Sequence, residues 1–272
     1  MKKVLTIAGS DCSGGAGVQA DLKTFSAHGV YGMSVIAAVV AENTCRVLDV
    51  QEITPEMIRK QMDAVFEDVE VDAVKVGMLS SPACMRAVVA GLKAYRPRHI
   101  VVDPVMYAKN GSPLMEPSSI GCLIREVVPL AEVLTPNIPE AEAITGMTIE
   151  RLSDMERAAV RIRSMGCRAV VVKGGHACGE AVDVLFDGEQ IHRFPGRRIR
   201  TKNTHGTGCT FSSAIAARLA GGCTVVEAVR LAKEYVQGAI EHALSIGHGN
   251  GPTNHFYSLY SAGISQEAQH AD

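Results

Sequence analysis

Short apolar runs rich in valine and isoleucine alternate with longer segments of helical spacing along nearly the whole chain. Such runs are typical of strands that are buried on both faces of a sheet. The predicted strands are Val4–Ala8, Val35–Ala41, Ala73–Val76, Ile100–Val102, Val133–Leu134 and Ala169–Val172. The predicted helices are Gly17–His28, Thr54–Phe66, Pro82–Tyr95, Ser153–Met165, Phe211–Ala220 and Val225–Leu244. This alternation predicts an α/β protein whose central, mostly parallel sheet carries helices on both faces.

A different pattern covers residues 182–194, where Asp187-Gly188 separates two extended runs, Val182–Phe186 and Gln190–Phe194. An Asp-Gly pair in this position is typical of a β-hairpin, and an antiparallel edge is common on a parallel sheet. No linker, low-complexity segment or internal repeat interrupts the strand–helix rhythm. We therefore predict one domain over residues 1–260 and a disordered C-terminal tail over residues 261–272.

The charge and cysteine patterns narrow the partners and the compartment. The 27 basic and 29 acidic residues nearly cancel, so we expect no nucleic acid and no membrane as partner. The 8 cysteines are irregularly spaced, which favours reduced thiols and a cytoplasmic location. The apolar run Val4–Ala8 is too short for a signal peptide, and no stretch approaches the roughly 20 apolar residues of a membrane span.

Polar and small residues cluster where the predicted strands end. In open α/β sheets, ligands bind outside the carboxyl ends of the strands, so the site is expected there. These strand-end segments are Gly9-Ser10-Asp11, Glu42-Asn43-Thr44, Gly77-Met78, Asp103-Pro104, Asn137 and Lys173-Gly174-Gly175.

The most informative segment is the glycine-containing loop 203–210, which leads into the predicted helix Phe211–Ala220. Its backbone N–H groups can surround an anion, and the helix dipole adds attraction. This arrangement suits a phosphoryl group that gains charge during transfer. A plain glycine-rich turn before a core helix is the alternative. Cys209 at the helix start is either a thiol of lowered pKa, able to act as base or nucleophile, or a small space-filling residue.

A second glycine-rich segment, Gly9–Asp21, follows the first strand and opens a helix. Gly15, Gly17 and Ala20 nominally match a dinucleotide fingerprint, with Glu42 as its ribose-binding acid. An NAD-dependent oxidoreductase is therefore the alternative function. Against it, five residues separate Gly9 from Gly15, and the loop at residues 206–208 would have no role. Walker A and protein-kinase motifs are absent from the sequence.

A third segment, residues 135–142, places Asn137, Glu140 and Glu142 at a strand–helix junction. Their oxygens can hold Mg²⁺ through water, as hard ligands do. Helix capping is the alternative, because acids are favoured in a first turn.

Together these segments resemble the ribokinase-like superfamily, and within it the hydroxymethylpyrimidine/phosphomethylpyrimidine kinase family of thiamine biosynthesis. The resemblance runs in order over about residues 3–257, which makes it more specific than any single motif. Further matching segments are Lys75–Leu79, Asp103–Met106, Lys173–His176, His205–Cys209 and Gly249–His255.

The resemblance implies ATP-dependent phosphorylation of a hydroxymethylpyrimidine and then of its monophosphate, with ATP and Mg²⁺ as cofactors and a homodimer as the assembly. Cys209 stands where sugar-phosphorylating relatives carry an aspartate base, and it is expected to deprotonate the substrate hydroxyl. The resemblance implies that catalysis and the anion hole use Gly206, Thr207, Gly208 and Cys209. The residues implied to bind the pyrimidine are Gly9, Ala16, Asp21, Glu42, Met78 and Val105. Those implied to bind ATP are Asp103, Asn137, Lys173 and Lys233, and Mg²⁺ is expected at Glu140 and Asp103, partly through water.

Two departures from the family pattern concern the substrate. The family usually carries glutamine where this chain has Glu42, and an ionised glutamate can only accept hydrogen bonds. The segment Met106–Gly111 is expected to be a lid that excludes water during transfer, and Tyr107 is less usual there than a small aliphatic residue. A neighbouring branch phosphorylates pyridoxal, and some of its members place a cysteine in the lid. Ala108 favours the pyrimidine over pyridoxal, which remains the alternative substrate. A non-enzymatic ligand-binding domain is disfavoured because every implied catalytic position is occupied.

Overall fold

The computed structural model describes residues 1–108, 111–176 and 181–263. Within these ranges one 9-stranded sheet forms the centre of the molecule. Its strands are β1 (Lys3–Asp11), β2 (Tyr31–Glu42), β3 (Val47–Glu52), β4 (Ala73–Val76), β5 (Ile100–Val102), β6 (Val133–Leu134), β7 (Ala169–Val172), β8 (Asp183–Phe186) and β9 (Ile191–Phe194). They run in the order β3-β2-β1-β4-β5-β6-β7-β8-β9.

The centre of the sheet is parallel and its edges are antiparallel. Strands β2, β1, β4, β5, β6 and β7 pair in parallel, whereas β3 pairs antiparallel with β2. The predicted hairpin is present as β8 and β9, which pair antiparallel next to β7. The mostly parallel α/β architecture predicted from the sequence is therefore confirmed.

Strand β3 was not predicted. Its six residues have the burial pattern half-buried, exposed, exposed, half-buried, exposed, exposed, with only Val47 and Val50 turned inward. A strand with two inward residues three positions apart lacks the alternation that marks a half-buried strand in sequence.

Helices connect the strands. They are α1 (Gly17–Ala27), α2 (Pro55–Phe66), α3 (Pro82–Tyr95), α4 (Ile120–Cys122), α5 (Ile138–Thr145), α6 (Leu152–Arg163), α7 (Thr207–Ala220), α8 (Val225–Glu241) and α9 (Tyr257–Ser261). Helix α4 is one turn within residues 117–130, where 3₁₀ and π turns surround it. None of the helices in the described ranges is long and apolar enough to cross a bilayer.

Two apolar layers hold the helices on opposite faces of the sheet. Leu5 and Ile7 of β1 pack with residues of α2, α3, α5 and α6. Val4, one position away on β1, packs with residues of α1, α7 and α8 on the other face. Because successive strand side chains point to opposite faces, the Val/Ile-rich strands fill both layers. The predicted helices on both faces are thus confirmed.

Helix α7 begins earlier than predicted, at Thr207 rather than Phe211. Gly206 is the N-cap residue and has a φ of 78°, a left-handed conformation that glycine adopts without a steric penalty. The residues Thr207, Gly208 and Cys209, predicted as loop, therefore form the first turn of the helix.

The one-domain prediction stays a prediction, although one sheet and its two layers span the described ranges. The predicted tail, residues 261–272, lies outside the described residues from residue 264 onward.

Candidate active site

Polar side chains from separate segments contact one another at the carboxyl edge of the sheet. His205 Nε2 lies 2.8 Å from Asp11 Oδ2, and Lys173 Nζ lies 2.7 Å from Asp103 Oδ1. Ser212 Oγ, on α7, lies 3.4 Å from Asp103 Oδ2. The segments that follow β1, β5 and β7 therefore meet the N-terminal end of α7 at one place.

The Asp11 carboxylate joins the two glycine-rich segments. It accepts hydrogen bonds from the backbone N–H groups of Ser13 (2.7 Å), Gly15 (3.1 Å) and Ala16 (2.7 Å), in addition to its contact with His205. Burial by itself would raise the Asp11 pKa, but hydrogen bonds from His205, Ser13 and Ala16 outweigh burial and lower the pKa to about 2. Asp11 is consequently an anion that fixes the loop before α1 against the loop before α7.

The turn at Gly206 allows this close approach. A Cβ atom on Gly206 would overlap the carbonyl oxygen of Gly15. Thr207 does not offer free donors, because its N–H bonds the Thr204 carbonyl over 3.3 Å and its hydroxyl donates to the same carbonyl over 2.7 Å.

At this helix start the backbone N–H groups of Gly206, Gly208 and Cys209 have no acceptor among the described residues. A Cβ atom on Gly208 would lie 3.3 Å from Asp103 Oδ2 and 3.4 Å from Lys173 Nζ, so the space beside Gly208 faces these two side chains. Free N–H groups at a helix N-terminus next to a lysine form an anion-binding site. Of the residues predicted for the anion hole, Gly206, Gly208 and Cys209 have free backbone N–H groups, and Gly206 also forms the turn before the helix.

A buried ion pair lies beneath this site. Lys75 Nζ is 2.9 Å from both carboxylate oxygens of Asp21, and both side chains are 0% exposed. The Asp21 carboxylate also accepts from the hydroxyls of Thr6 (2.6 Å) and Ser213 (2.7 Å). Asp21, predicted in the pyrimidine pocket, has its carboxylate occupied by these partners.

The thiol of Cys209 is near this ion pair. In contrast to the expectation that the helix end lowers its pKa, burial raises the Cys209 pKa to about 11. Lys75 and a hydrogen bond with the Gly17 backbone act in the opposite direction, while Asp21 and Asp103 raise it further. Desolvation and two carboxylates thus outweigh one lysine and the hydrogen bond with Gly17.

A second charged group consists of Asp103, Lys173 and Glu140, of which Asp103 and Lys173 lie beside Gly208. Asp103 Oδ1 accepts from Lys173 Nζ and from the Thr135 hydroxyl, the latter over 3.2 Å. Burial raises the pKa of Glu140 to about 7; Lys173 lowers it and Asp103 raises it. Two buried carboxylates are hard oxygen donors of the kind that Mg²⁺ prefers, so Asp103 and Glu140 fit a divalent cation.

Asn137 and Glu140 also cap α5, which was the alternative reading of this motif. The Glu140 N–H donates to Asn137 Oδ1 over 2.9 Å, and the Asn137 N–H donates to Glu140 Oε2 over 2.8 Å. This reciprocal capping box holds both side chains in place. One carboxylate oxygen of Glu140 is thereby committed to the cap, and a hydrogen bond from the Met106 backbone also acts on this carboxylate.

Lys233, predicted to bind ATP, lies apart from the anion-binding N–H groups. Its Nζ donates to the Ala181 carbonyl (2.7 Å) and to Asp183 Oδ2 (2.8 Å). Asp183 Oδ1 in turn accepts from the Gly174 N–H over 2.8 Å. Lys233 is thus connected to the segment after Lys173 through Asp183.

An apolar wall borders the site on the β1–β2 side. Met78 packs in a small cluster with Val40, Val105 and Leu114. A Cβ atom on Gly9 would lie 3.1 Å from Met78 Sδ, so the Gly9 backbone packs directly against this wall. The structure therefore brings Gly9, Met78 and Val105 together; their predicted role in binding the substrate stays a prediction. Ala16 is the N-cap of α1.

Glu42, at the end of β2, lies at the polar border of this wall. Burial raises the Glu42 pKa to about 7, the nearby Asp11 raises it too, and His205 lowers it. At the start of the predicted lid, Met106–Gly111, the chain pairs with the segment that follows: Tyr107 forms an antiparallel bridge with Pro113, and the Leu114 N–H bonds the Met106 carbonyl over 2.9 Å. Its residues 109 and 110 lie outside the described residues.

Sequence reasoning quoted Lys75, Asp11 and His205 within motifs but gave them no role. For Lys75 a signal exists, since a lysine inside the apolar run Ala73–Val76 must find a buried partner. Nothing in the sequence indicates that Asp11 and His205, 194 positions apart, form a pair.

Comparison with known proteins agrees with this geometry. A family model described as phosphomethylpyrimidine kinase matches residues 11–254. A hydroxymethylpyrimidine/phosphomethylpyrimidine kinase of Rhizobium meliloti is 51% identical over 257 residues, which cover 93% of this chain and 96% of the relative.

Two further similarities concern the pathway and the fold. A thiamine biosynthesis bifunctional protein of Geobacter sulfurreducens is 50% identical over 253 residues; the match covers 93% of this chain and 52% of that longer protein. A crystal structure of Bacillus subtilis pyridoxal kinase with ADP superposes with a TM-score of 0.89 at 39% identity, over 95% of this chain and 99% of that one.

Proposed function

Because this chain belongs to the phosphomethylpyrimidine kinase family, we propose that it uses ATP to phosphorylate 4-amino-5-hydroxymethyl-2-methylpyrimidine and then its monophosphate, in thiamine biosynthesis. The observation that carries the proposal is the pair of unbonded N–H groups on Gly208 and Cys209, beside Asp103 and Lys173. The two acceptors, an alcohol and a phosphate monoester, would enter from the apolar wall of Gly9, Met78 and Val105.

Catalysis by this site is a matter of position and charge. In phosphoryl transfer the moving group carries charge on its equatorial oxygens, and fixed donors aimed at that charge lower the barrier. The N–H groups of Gly208 and Cys209 would bind the transferred group at the start of α7. Lys173 would neutralise the nucleotide phosphates from the other side. Asn137 and Lys233, both on the Lys173 side, would complete the nucleotide site.

Cys209 would receive the proton of the substrate hydroxyl. Burial raises the Cys209 pKa to about 11, which keeps the thiol protonated at neutral pH, so the thiolate is a minor species. A loose transition state needs little deprotonation of the attacking alcohol before bond formation. A proton acceptor of high pKa is compatible with such a late proton transfer, and a minor thiolate population makes the rate depend on pH.

The carboxylates of Asp103 and Glu140 would hold Mg²⁺, in part through water. An ion held by these two carboxylates would supply positive charge near the nucleotide phosphates. Removal of one ligand by Glu140→Gln keeps the capping contacts, since glutamine also has an oxygen that accepts a hydrogen bond. We expect this variant to need more Mg²⁺ for half-maximal rate while its melting temperature without ligand stays near that of the wild type. An unchanged Mg²⁺ requirement would remove Glu140 from the metal site.

Pyridoxal is the second candidate substrate, because the Bacillus subtilis structure that superposes over 95% of this chain is named a pyridoxal kinase. The deciding assay measures ADP formation with the pyrimidine and with pyridoxal side by side, using Cys209→Ala as the control. We expect turnover with the pyrimidine that collapses in the variant, and formation of monophosphate and then diphosphate by mass spectrometry. Turnover with pyridoxal alone would contradict the proposed substrate, and absence of the diphosphate would contradict the second step.

We also propose a homodimer and a cytoplasmic location. Strand β3 is an edge strand, and Leu48 on it and Val39 on β2 are 60% and 45% exposed. Exposed apolar residues on an unpaired edge favour pairing with another chain. Every cysteine in the described ranges is a free thiol, which suits a reducing compartment. Light scattering on the purified protein, with Leu48→Asp as comparison, tests the dimer.

A further inference from the structure

The ion pair between Lys75 and Asp21 has no part in the reaction as proposed so far, although both side chains are 0% exposed. Taking two charges out of water is costly unless further hydrogen bonds satisfy them. Here the Asp21 carboxylate accepts from Lys75 Nζ with both oxygens and also from the hydroxyls of Thr6 and Ser213. The pair therefore joins β4, α1, β1 and α7 at one buried carboxylate.

The order of the strands places Lys75 beneath the first turn of α7. Strand β4 lies between β1 and β5 in the sheet. The start of α7 meets the segment after β1, where Gly206 lies against the Gly15 carbonyl, and the segment after β5, where Asp103 lies beside Gly208. The strand between these two segments therefore ends under the same turn.

The Lys75 side chain extends toward that turn. Ala73, two positions earlier on β4, packs with residues of α1 and α7, and residues two apart on a strand share a face. A Cβ atom on Gly77 would lie 2.7 Å from Lys75 Nζ. The ammonium therefore reaches the carboxyl end of β4, on the face of the sheet that carries α7.

Helices α1 and α7 contact each other at two successive turns near this ammonium. The Gly17 N–H, at the start of α1, bonds the Cys209 thiol. One turn further along each helix, Ser213 Oγ donates to Asp21 Oδ1 over 2.7 Å. Since residues four apart lie on one face of a helix, Cys209 and Ser213 face α1 together. The ion pair is therefore one helical turn away from the Cys209 sulfur.

The charged groups that face the Cys209 thiol form two ion pairs. Lys75 on β4 pairs with Asp21 on α1, and Lys173 after β7 pairs with Asp103 after β5. The second pair is already proposed to bind the nucleotide phosphates and the metal ion, which leaves the first pair to act on the sulfur. Burial has the largest effect and raises the Cys209 pKa; Lys75 comes next and lowers this pKa, and the opposite effect of Asp21 is smaller.

We propose that Lys75 is a positioning residue whose ammonium, held in place by Asp21, is the counter-charge for a thiolate at Cys209. The inference rests on the proposed function, in which Cys209 receives the proton of the substrate hydroxyl. As the bond between the hydroxyl oxygen and phosphorus forms, that proton moves to the sulfur, and the bond from the transferred phosphorus to ADP breaks with its electron pair on ADP. A buried thiolate is disfavoured by desolvation, and a fixed cation nearby offsets this effect.

A counter-charge predicts opposite effects of two variants on the thiolate. Asp21→Asn leaves the Lys75 charge unopposed beside the sulfur and should raise the thiolate fraction about tenfold. Asp21→Asn/Lys75→Met removes both charges and should lower the thiolate fraction below that of the wild type, because the effect of Lys75 is the larger of the two. Loosened packing would instead change the reactivity of Cys209 in the same direction in both variants.

The experiment measures how fast iodoacetamide alkylates Cys209 in the full chain at pH 8, without nucleotide or pyrimidine, by mass spectrometry of the peptide. The thiolate is the nucleophile in this reaction, so the rate follows the thiolate fraction. Arg230→Met/Glu234→Gln, which removes an exposed ion pair from α8, is the matched control and should react as the wild type does. Alkylation of Cys223 in the same samples reports general opening of the fold and should be equal in all the proteins.

The outcomes separate the inference from the proposed function. Equal rates in the wild type and the double variant, or a change of both variants in the same direction, would overturn the role of Lys75. If Asp21→Asn does not fold, the double variant decides alone, and a rate not below that of the wild type would overturn the inference. Because the assay contains no substrate, the expected alkylation rates together with absent pyrimidine phosphorylation would overturn the proposed function and leave the interaction between Lys75 and Cys209 intact.

Discussion

Lys75 is both a buried residue of the sheet and a charged group that affects the pKa values near the candidate site. Its ammonium is fully buried in β4 and pairs with Asp21, which α1 supplies. Burial disfavours the charged lysine, but Asp21, Cys209 and Asp103 outweigh burial and raise the Lys75 pKa. Asp21 was predicted from resemblance alone to line the pyrimidine pocket, and that role stays a prediction. Its hydrogen bonds assign it a structural task, the neutralisation of Lys75.

We expect Asp21→Asn to lower the free energy of unfolding by about 3–5 kcal/mol, because it leaves the Lys75 charge buried without a partner. The double variant Asp21→Asn/Lys75→Met removes both charges and should recover most of this loss. Urea denaturation of the two variants and the wild type measures the difference. A single variant as stable as the wild type would show that the pair does not form.

Cys209 gives a prediction on pH. Burial outweighs the opposite effect of Lys75 and raises the Cys209 pKa to about 11. The thiolate fraction therefore rises up to tenfold per pH unit between pH 7 and pH 10. In single-turnover experiments with saturating ATP and pyrimidine, we expect the phosphorylation rate to rise with pH over this range.

The same experiment on Cys209→Ala provides the control. Loss of a general base lowers the rate by about 10²–10⁴-fold, and the remaining rate should no longer depend on pH in this window. A variant that keeps the slope of the wild type would exclude Cys209 as the proton acceptor.

At the scale of elements, the sequence predicted those parts whose pattern is local. Strands β4, β5, β6 and β7 have the predicted bounds, because buried parallel strands are continuous apolar runs. Strand β3 was missed because its burial comes from packing against the apolar wall, through Val47 and Val50, rather than from alternation. The start of α7 was placed late because Thr207, Gly208 and Cys209 are weak helix formers, and only the left-handed Gly206 shows where the turn begins.

The anion loop itself is tested by two alanine substitutions with opposite expectations. Gly206→Ala meets a φ of 78° and an overlap with the Gly15 carbonyl, so we expect a stability loss of more than about 1 kcal/mol. Gly208→Ala meets only side-chain atoms at 3.3 Å and 3.4 Å, in the space proposed for the phosphoryl group. It should keep its melting temperature and lose most of its kcat/KM.

Gly238→Ala is the matched control for this pair, because it lies inside α8 with no atom within 4 Å of the added methyl group. A stabilisation of about 0.5–1 kcal/mol and unchanged kcat/KM are expected for it. If Gly208→Ala retained full activity, the phosphoryl group would have to bind elsewhere.

At the scale of the whole molecule, residues 249–251, near the C-terminal end of the described chain, contact the turn after β2 and the segment before α7. The N–H groups of Gly249 and Asn250 bond Thr44 in the turn after β2, and the Gly251 carbonyl accepts from the His205 N–H over 3.0 Å. The sequence showed this segment only as a motif in the resemblance. Contacts that join positions about 200 residues apart, such as Thr44 to Gly249, cannot be inferred from a local pattern.

His255, in the same C-terminal region, makes the stability of the fold sensitive to acid. Thr210 donates its hydroxyl proton to the Gly206 carbonyl over 2.9 Å, so His255 Nε2, 3.0 Å from the same hydroxyl, must be the donor to Thr210. Further protonation would then fall on Nδ1 of a side chain that is 4% exposed. Burial lowers the His255 pKa from 6.5 to about 4, with a smaller contribution from Lys23 in the same direction.

The sign of the pH effect follows from these two values. Between pH 6.5 and pH 4 the unfolded chain binds a proton at His255 that the folded chain does not, so the stability of the fold decreases as pH falls through this window. At pH 5 the loss of stability from this residue is about 2 kcal/mol.

In His255→Gln the amide can still donate to Thr210 but cannot titrate. We expect the wild type to lose about 2 kcal/mol more than His255→Gln between pH 7 and pH 5, by urea denaturation at each pH. Because His28, whose pKa is also lowered by burial, is common to both proteins, its contribution cancels in the comparison, and equal losses would show that His255 is already charged in the folded protein.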